Sequence, residues 1–285
     1  YGRVFSDFEI LRGQVNLITG MSGTGKTISL INILANQLSY INENEYLNRP
    51  RGKFKKISGN TQFENVIVID PNLNRYTSRS TVGSMTGLFT SIRKHFLSLK
   101  VSQAMGLVEG HLSSNSELGQ CRKCDGKGHL IIEMQFLEDI VLTCEDCNGK
   151  KLKSLYADIS DGDMTVHEAY SKPLNEYIKK IKLTPKFQRI VKFMEILNLD
   201  YLSLDRQINS LSGGEKQRIY LLNKLQKDIK GSILFFENIS FGLSQVELEK
   251  ICELLNDLVR KDNTIVIIDQ NPIFKKISGH NIDFD

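Results

Sequence analysis

Three things are scarce in this chain of 285 residues. No apolar run approaches bilayer-spanning length, which excludes a transmembrane helix and makes a membrane partner unexpected. An excess of one charge is missing too: 37 Lys and Arg against 33 Asp and Glu leave +4, too little by itself to argue for nucleic acid. Cysteine is sparse, and four of the five lie in two Cys-x-x-Cys pairs, so a disulfide scaffold fits poorly. The fifth, Cys252, falls on the apolar face of an amphipathic stretch beside Ile251, Leu254 and Leu255 and reads as core. There is no tryptophan and no N-terminal signal-peptide pattern, and a cytoplasmic protein is the expectation. The chain opens on Tyr1 and not on methionine, which suggests a fragment or a trimmed form. Its length can bury a large core in one domain or two.

What is present begins with Gly20-Met21-Ser22-Gly23-Thr24-Gly25-Lys26-Thr27, a full match to the phosphate-binding loop G-x-x-x-x-G-K-[ST]. The apolar run Val15–Thr19 precedes it and helical spacing follows from Ile28, which supplies the strand-loop-helix context. Glycines at 20, 23 and 25 let successive N–H groups turn inward around phosphate oxygens. Lys26 is expected to reach the β- and γ-phosphates of ATP, and Thr27 to offer its hydroxyl to Mg²⁺, with Ser22 and Thr24 completing the cradle.

Cys121-Arg-Lys-Cys124 and Cys144-Glu-Asp-Cys147 are nineteen residues apart, the spacing of a Cys₄ zinc site. Each pair is followed by a glycine, Gly126 and Gly149, as a tight knuckle favours. Two strand-like runs between the pairs, residues 129–136 and 139–143, would form a hairpin that brings the knuckles together. Four thiolates leave no open position, so Zn²⁺ is expected to staple the module and not to catalyse.

Leu211-Ser212-Gly213-Gly214-Glu215-Lys-Gln-Arg218 resembles the signature of ATP-binding-cassette (ABC) ATPases. A Cys₄ module between phosphate loop and signature resembles the UvrA family, the damage-recognition ATPases of bacterial nucleotide excision repair, in their C-terminal half. The likeness includes Val66–Asp70, Thr86-Gly87-Leu88-Phe89 and Asn263–Asp269 and covers nearly the whole chain. It implies an α/β fold: an ABC-type P-loop core, residues 1–92 and 226–285, split by a mostly helical, zinc-binding signature domain, residues 93–225, with the Cys₄ module at 121–147. It also implies that each ATP is held between one phosphate loop and the signature of a second cassette, to which Ser212, Gly213 and Gly214 would offer a hydroxyl and N–H groups. That second cassette would be another copy or a half outside this sequence.

The departures matter as much. In the family, the strand after the signature ends in Asp-Glu. Aligning Gly242-Leu243 without a gap puts Glu237 at the aspartate, as a candidate to hold Mg²⁺, and Asn238 at the glutamate, where an amide cannot act as a base. A one-residue slip would instead put Phe236 and Glu237 there. The gapless alignment needs no insertion in a short turn and is preferred. Pro71 stands where the family has a glutamine and Gln270 where it has a switch histidine, and Asp70 and Asp269 are further acidic groups that could approach the metal. Slow hydrolysis, or ATP used as a clamp, is the expectation.

Duplex DNA is the implied partner, yet residues 106–120, which match a basic stretch of the repair family, contain no Lys or Arg. Between Arg93 and Arg206 there are 17 basic and 16 acidic residues. What remains is local: Arg122, Lys123 and Lys127 on one knuckle, Lys150, Lys151 and Lys153 on the other, and the cluster Lys179, Lys180, Lys182 and Lys186, which reads as a solvated face. Two functions compete: a UvrA-like ATPase that binds DNA, and a degenerate ATP-binding paralogue serving as a regulatory or structural subunit. A transporter-coupled cassette fits less well, because of the zinc insertion. Tyr1, Phe5 and Phe8 are candidates for the adenine contact by position alone.

Overall fold

A computed structural model describes residues 7–47, 51–69, 77, 79–134, 138–181, 184–226 and 229–284. Tyr1, Phe5, Asp70, Pro71 and Lys182 lie outside the described residues. In chain order the elements are β1 (Val15–Thr19), a π-helical stretch (Ile28–Ala35) running into α1 (Asn36–Glu43), β2 (Val66–Ile69), α2 (Val82–Thr86), α3 (Leu88–Leu97) and α4 (Lys100–Ala104). There follow β3 (His129–Ile132), β4 (Ile140–Thr143), α5 (Ser154–Ala157), β5 (Ser160–Asp161), β6 (Met164–Thr165), α6 (Val166–Ser171), α7 (Leu174–Tyr177) and α8 (Pro185–Ile196). The last elements are α9 (Gly213–Leu225), β7 (Ile233–Glu237), α10 (Gln245–Val259), β8 (Thr264–Ile268) and β9 (His280–Asp283).

The chain divides into two compact units. The first holds the described residues before 70, together with 196–198 and 212–284, and contains an all-parallel sheet in the order β2-β7-β8-β1-β9. Strands buried on both faces read as continuous apolar runs, and Ile233, Leu234, Phe235 and Phe236 of β7 are all fully buried. One apolar cluster joins Ile18, Leu30, Ile31, Val66, Phe235 and Val266, sealing the helix that follows β1 onto the sheet. Parallel strands align their carboxyl ends, and ligands in such sheets bind there. The register sets Ile18 beside Ile268 and Glu237 beside Ile268, so the residues just past β1, β7 and β8 rise at one edge.

The second unit, residues 77–195 and 199–211, carries α2 to α8, the antiparallel hairpin of β3 and β4, and the small β5–β6 hairpin. The units divide near 75 and 211, whereas the sequence reading joined them at 92 and 225. The physical reason lies in two sets of bonds. Val82 N–H donates to the Arg206 carbonyl and Ile208 N–H to that of Ser80, tying α2 into the second unit. In α9, the Gln217 side chain donates to the Asn238 carbonyl at 3.0 Å, and Arg218 pairs with Glu247 of α10, so the signature helix belongs to the core.

That Arg218–Glu247 pair carries a prediction. Glu247 also accepts from Ser244 N–H at 2.7 Å and the Ser244 hydroxyl at 2.8 Å, in a capping box at the start of α10. Burial pushes its pKa up, but the Ser244 donors and Arg218 outweigh that and hold it below the ordinary carboxylate value. A depressed folded-state pKa stabilises above the unfolded carboxyl value of about 4.3, and that contribution is lost as pH falls through the folded value. Glu247→Ala leaves a buried guanidinium without its partner and is expected to cost about 3–5 kcal/mol. Urea unfolding at pH 7 and at pH 3 checks both parts: a deficit at pH 7 that narrows at pH 3 is expected.

Candidate functional site

The loop after β1 forms through backbone that glycine alone adopts readily. Gly20, Gly23 and Gly25 have φ of +121°, +87° and +94°. At Gly20 a Cβ would also meet the Phe284 carbonyl oxygen at 2.8 Å. The helix takes hold where Ser29 N–H donates to the Gly25 carbonyl at 2.9 Å, leaving earlier N–H groups and the positive end of the helix toward the loop. The Lys26 ammonium donates to the Gly20 carbonyl at 2.6 Å, the Met21 carbonyl at 2.5 Å and the Thr24 hydroxyl at 3.3 Å. Thr24 in turn donates to the Met21 carbonyl. Ser22 lines the open pocket of about 660 Å³ beside the loop.

Glu237 ends β7, and its carboxylate accepts the Thr27 hydroxyl proton. Phe236, the residue the slipped alignment would place at the aspartate, is fully buried. Thr27 and Glu237 together offer a hydroxyl and a carboxylate, the hard oxygen donors Mg²⁺ takes along with substrate phosphates. Asn238 has φ of +50°, which asparagine tolerates, and its N–H donates to the Ile268 carbonyl. Asp269 is taken up by its own turn. It is buried and accepts from Ser240 N–H at 2.8 Å, the Ser240 hydroxyl at 2.7 Å and Asn271 N–H at 2.9 Å, fixing the turn after β7. Phe8 is engaged by Phe284, with ring centroids 5.5 Å apart.

The signature forms the start of α9. Ser212 caps it reciprocally: Glu215 N–H donates to the Ser212 hydroxyl oxygen at 3.3 Å, and Ser212 N–H donates to the Glu215 carboxylate at 2.7 Å. The hydroxyl is used as an acceptor, so its own proton stays available, as do the first-turn N–H groups of Gly213 and Gly214. Gly214 lies against Gly242, where a Cβ would come 3.0 Å from the Gly242 carbonyl oxygen.

In the second unit, the four cysteines converge. All four sulfurs are buried and lie within 4.8 Å of one another, Cys121 to Cys144 at 3.8 Å and Cys124 to Cys147 at 3.7 Å. A tetrahedron with Zn–S bonds of about 2.3 Å has sulfur–sulfur edges of about 3.8 Å, so the set fits zinc in size as well as in chemistry. Asp125 and Asn148, each after the second cysteine of its pair, have φ of +48°, and Gly126 and Gly149 follow at +74° and +80°, so the two knuckles repeat one shape. A Cβ on Gly126 would fall 2.0 Å from the Ser114 carbonyl oxygen. Burial pushes the Cys147 thiol up to about 12, while the N–H groups of Cys147 and Asp146 lower the pKa of Cys144.

Four of the five knuckle lysines have partners within the chain. Lys123 pairs with Glu145 and Asp146, Lys150 with Asp158 and Lys151 with Asp205, while Lys153 donates to the Glu117 and Leu118 carbonyls. Residues 128–149 contain five acidic groups and no Lys or Arg, and the hairpin exposes Ile131, Ile132, Ile140, Val141 and Leu142. Arg122 and Lys127 are exposed on the first knuckle, as are Lys179, Lys180 and Lys186 on the α7–α8 side. Two features escaped the sequence reading: the Arg218–Glu247 pair, whose one signal was the Ser244-x-x-Glu247 capping pattern, and the Asp269–Ser240 latch.

The family profile described as "ABC transporter" matches residues 6–234. Among curated proteins, UvrABC system protein A of Borreliella burgdorferi is 33% identical over 97% of this chain, and that of Lactococcus lactis subsp. lactis is 31% identical over 97%. The chain spans 29% of the length of each. The crystal structure of UvrA2 from Deinococcus radiodurans superimposes with a TM-score of 0.79 at 24% identity, over 95% of this chain and 33% of that one, a likeness of fold. Among the described residues no helix is long and apolar enough to cross a membrane.

Proposed function

The chain belongs to the ABC ATPase family, as a UvrA-like cassette, and from that premise we propose that it binds MgATP and closes on a second cassette to grip duplex DNA, with slow hydrolysis resetting the grip. The contact between Thr27 and Glu237 carries the reading, because it joins the two residues that would share Mg²⁺ across β1 and β7. Lys26 would hold the β- and γ-phosphates, and the capped signature would supply Ser212, Gly213 and Gly214 to the nucleotide of the other cassette. Bound Mg²⁺ would neutralise charge on the phosphates; the protein's own part is to orient them and to keep water out when the cassettes close. Zn²⁺ would be structural, held by Cys121, Cys124, Cys144 and Cys147, and free thiols suit a cytoplasmic location. Slow turnover follows from Asn238, which cannot take a proton from water.

DNA contact is drawn to Lys179, Lys180 and Lys186 in preference to the zinc hairpin, where the lysine is already paired and five carboxylates repel phosphate. With about three phosphate contacts, log affinity is expected to fall with log salt at a slope of roughly −3. Fluorescence anisotropy of an intact and a damaged duplex, with and without ATP, checks this. Salt-sensitive binding that tightens with ATP supports the reading. ATP binding without duplex binding even at low salt sinks the DNA part and favours a regulatory subunit.

A further inference from the structure

Residues 51–63, between α1 and β2, hold Arg51, Lys53, Lys55 and Lys56 and no Asp or Glu. The segment is fastened at both ends. At its close, Arg12 lies over the Phe63 ring at 4.3 Å and donates to the Asn60 and Gln62 carbonyls. The Asn42 side chain donates to the Thr61 carbonyl and accepts from Phe63 N–H, both at 2.9 Å. At its start, a Cβ on Gly52 would run into the Ile33 side chain. The Arg51 guanidinium lies 3.7 Å above the Tyr46 ring, which stacks on Tyr40 with centroids 4.4 Å apart and planes 7° from parallel. This three-layer stack ends in an exposed Arg51 on one side and a Tyr40 that is 42% exposed on the other. Between the fastenings Lys53, Lys55 and Lys56 are exposed, and so is Phe54, at 47%. Of the carboxylates just before the segment, Glu43 accepts from Val66 N–H at 3.1 Å and Glu45 is exposed.

We propose that this segment is a binding site for single-stranded nucleic acid, separate from the duplex contact on Lys179, Lys180 and Lys186 and independent of MgATP. Solubility alone asks for the lysines, but not for an exposed phenylalanine among them, which water disfavours. A single strand asks for both: cations that follow its phosphates, and flat rings on which its unpaired bases stack. In a duplex the bases already stack on one another, and Phe54 would have nothing to take up. Arg51 suits the same ligand. A guanidinium seated on Tyr46 keeps its N–H edge for a phosphate and its outer face for a base. Every base has a π-face, so binding through these groups is tolerant of sequence. An anionic membrane would also draw the lysines, but it offers the stack no flat partner, and one phenylalanine is a shallow anchor.

The test is fluorescence anisotropy of labelled oligo-dT and oligo-rU, about 12 nucleotides long, titrated with the whole chain over a range of salt. Phe54→Ala is expected to weaken binding about tenfold, the effect of one lost base stack, and to leave the salt slope unchanged. The triple variant Lys53→Gln, Lys55→Gln, Lys56→Gln is expected to flatten the slope by about 2, at roughly 0.7 per phosphate of a single strand. These side chains are exposed, so the fold stands in both variants. Whichever oligonucleotide binds more tightly names the source of the strand, and either supports the site. Replacing Lys179, Lys180 and Lys186 by Gln is expected to leave single-strand binding as it was, and the loop triple variant to leave duplex binding as it was, so the two sites fail separately. Absence of single-strand binding at low salt overturns the inference, as does binding that neither loop variant changes. A flattened slope with no effect of Phe54→Ala also overturns it, since the segment would then be a plain cationic surface. Vesicles containing phosphatidylserine run alongside: capture of the wild-type chain but not the triple variant, with no oligonucleotide bound, would assign the segment to a lipid surface instead.

Discussion

Replacing Lys26 by alanine is expected to weaken binding of the imido analogue of ATP at least a hundredfold and to leave the fold standing. The ammonium is held by two carbonyl oxygens and a hydroxyl, all neutral acceptors belonging to its own loop. No carboxylate balances it among the described residues, so a phosphate is the counter-charge that the loop is built to receive. Two charge-assisted bonds, to the β- and γ-phosphates, would contribute about 1.5–3 kcal/mol each. Together that is on the order of a hundredfold to ten-thousandfold in affinity. The loss to the free protein is smaller, because the displaced carbonyls are next to open solvent and water can replace the ammonium. Titration calorimetry together with a thermal unfolding scan separates the two effects. Full affinity in the variant would mean that the phosphates are held elsewhere and would remove the basis of the proposed function. A collapsed unfolding midpoint would mean that Lys26 is a structural strut of the loop.

What sequence conveyed here, and what it withheld, follows the range of the interactions. The phosphate loop was legible because its glycines answer a local backbone demand, seen as three positive φ values within six residues. The four cysteines were legible as one cluster because both Cys-x-x-Cys pairs turn through knuckles of the same shape. The partner of Glu237 was not legible locally: Thr27, whose hydroxyl proton its carboxylate accepts, lies 210 residues away and no nearby pattern announces it. The same holds for charge. Lys151 reads as a free cation beside a knuckle, yet it sits 2.9 Å from Asp205, 54 residues on. A basic residue near a zinc site is evidence of phosphate binding only while its carboxylate partner is out of view. Asp269 reads as a further acidic group that could approach the metal, yet its carboxylate accepts from Ser240, 29 residues away, and from Asn271. The joins between units also escaped, since α9 carries the signature but packs through Gln217 and Arg218 onto β7 and α10.

Loss of the zinc proposed for the four cysteines is expected to unfold the hairpin of β3 and β4 while sparing nucleotide binding. A two-stranded hairpin alone is marginal in water, and this one hides little of its apolar surface: Val141 is 61% exposed and Ile131 50%. Burial therefore cannot hold it, and backbone bonds that water can replace contribute little net stability. Structural zinc in small modules contributes about 10–16 kcal/mol, far more than the strands can supply. Cys144 is the telling position, because its N–H also closes the hairpin onto the Gly128 carbonyl at 3.0 Å. Cys144→Ser is expected to lose one equivalent of zinc and the hydrogen-exchange protection of residues 129–132 and 140–143. Cys121 accepts no such role at the hairpin base; its N–H donates to the Lys151 carbonyl, so Cys121→Ser should deprotect the segment around Lys151 as well. In both variants the affinity for the ATP analogue should hold, because no residue of the phosphate loop belongs to the unit that carries the four cysteines. A zinc-free wild-type protein whose hairpin amides stay protected would show that the four sulfurs pack without a metal, and the structural role assigned to zinc would fall.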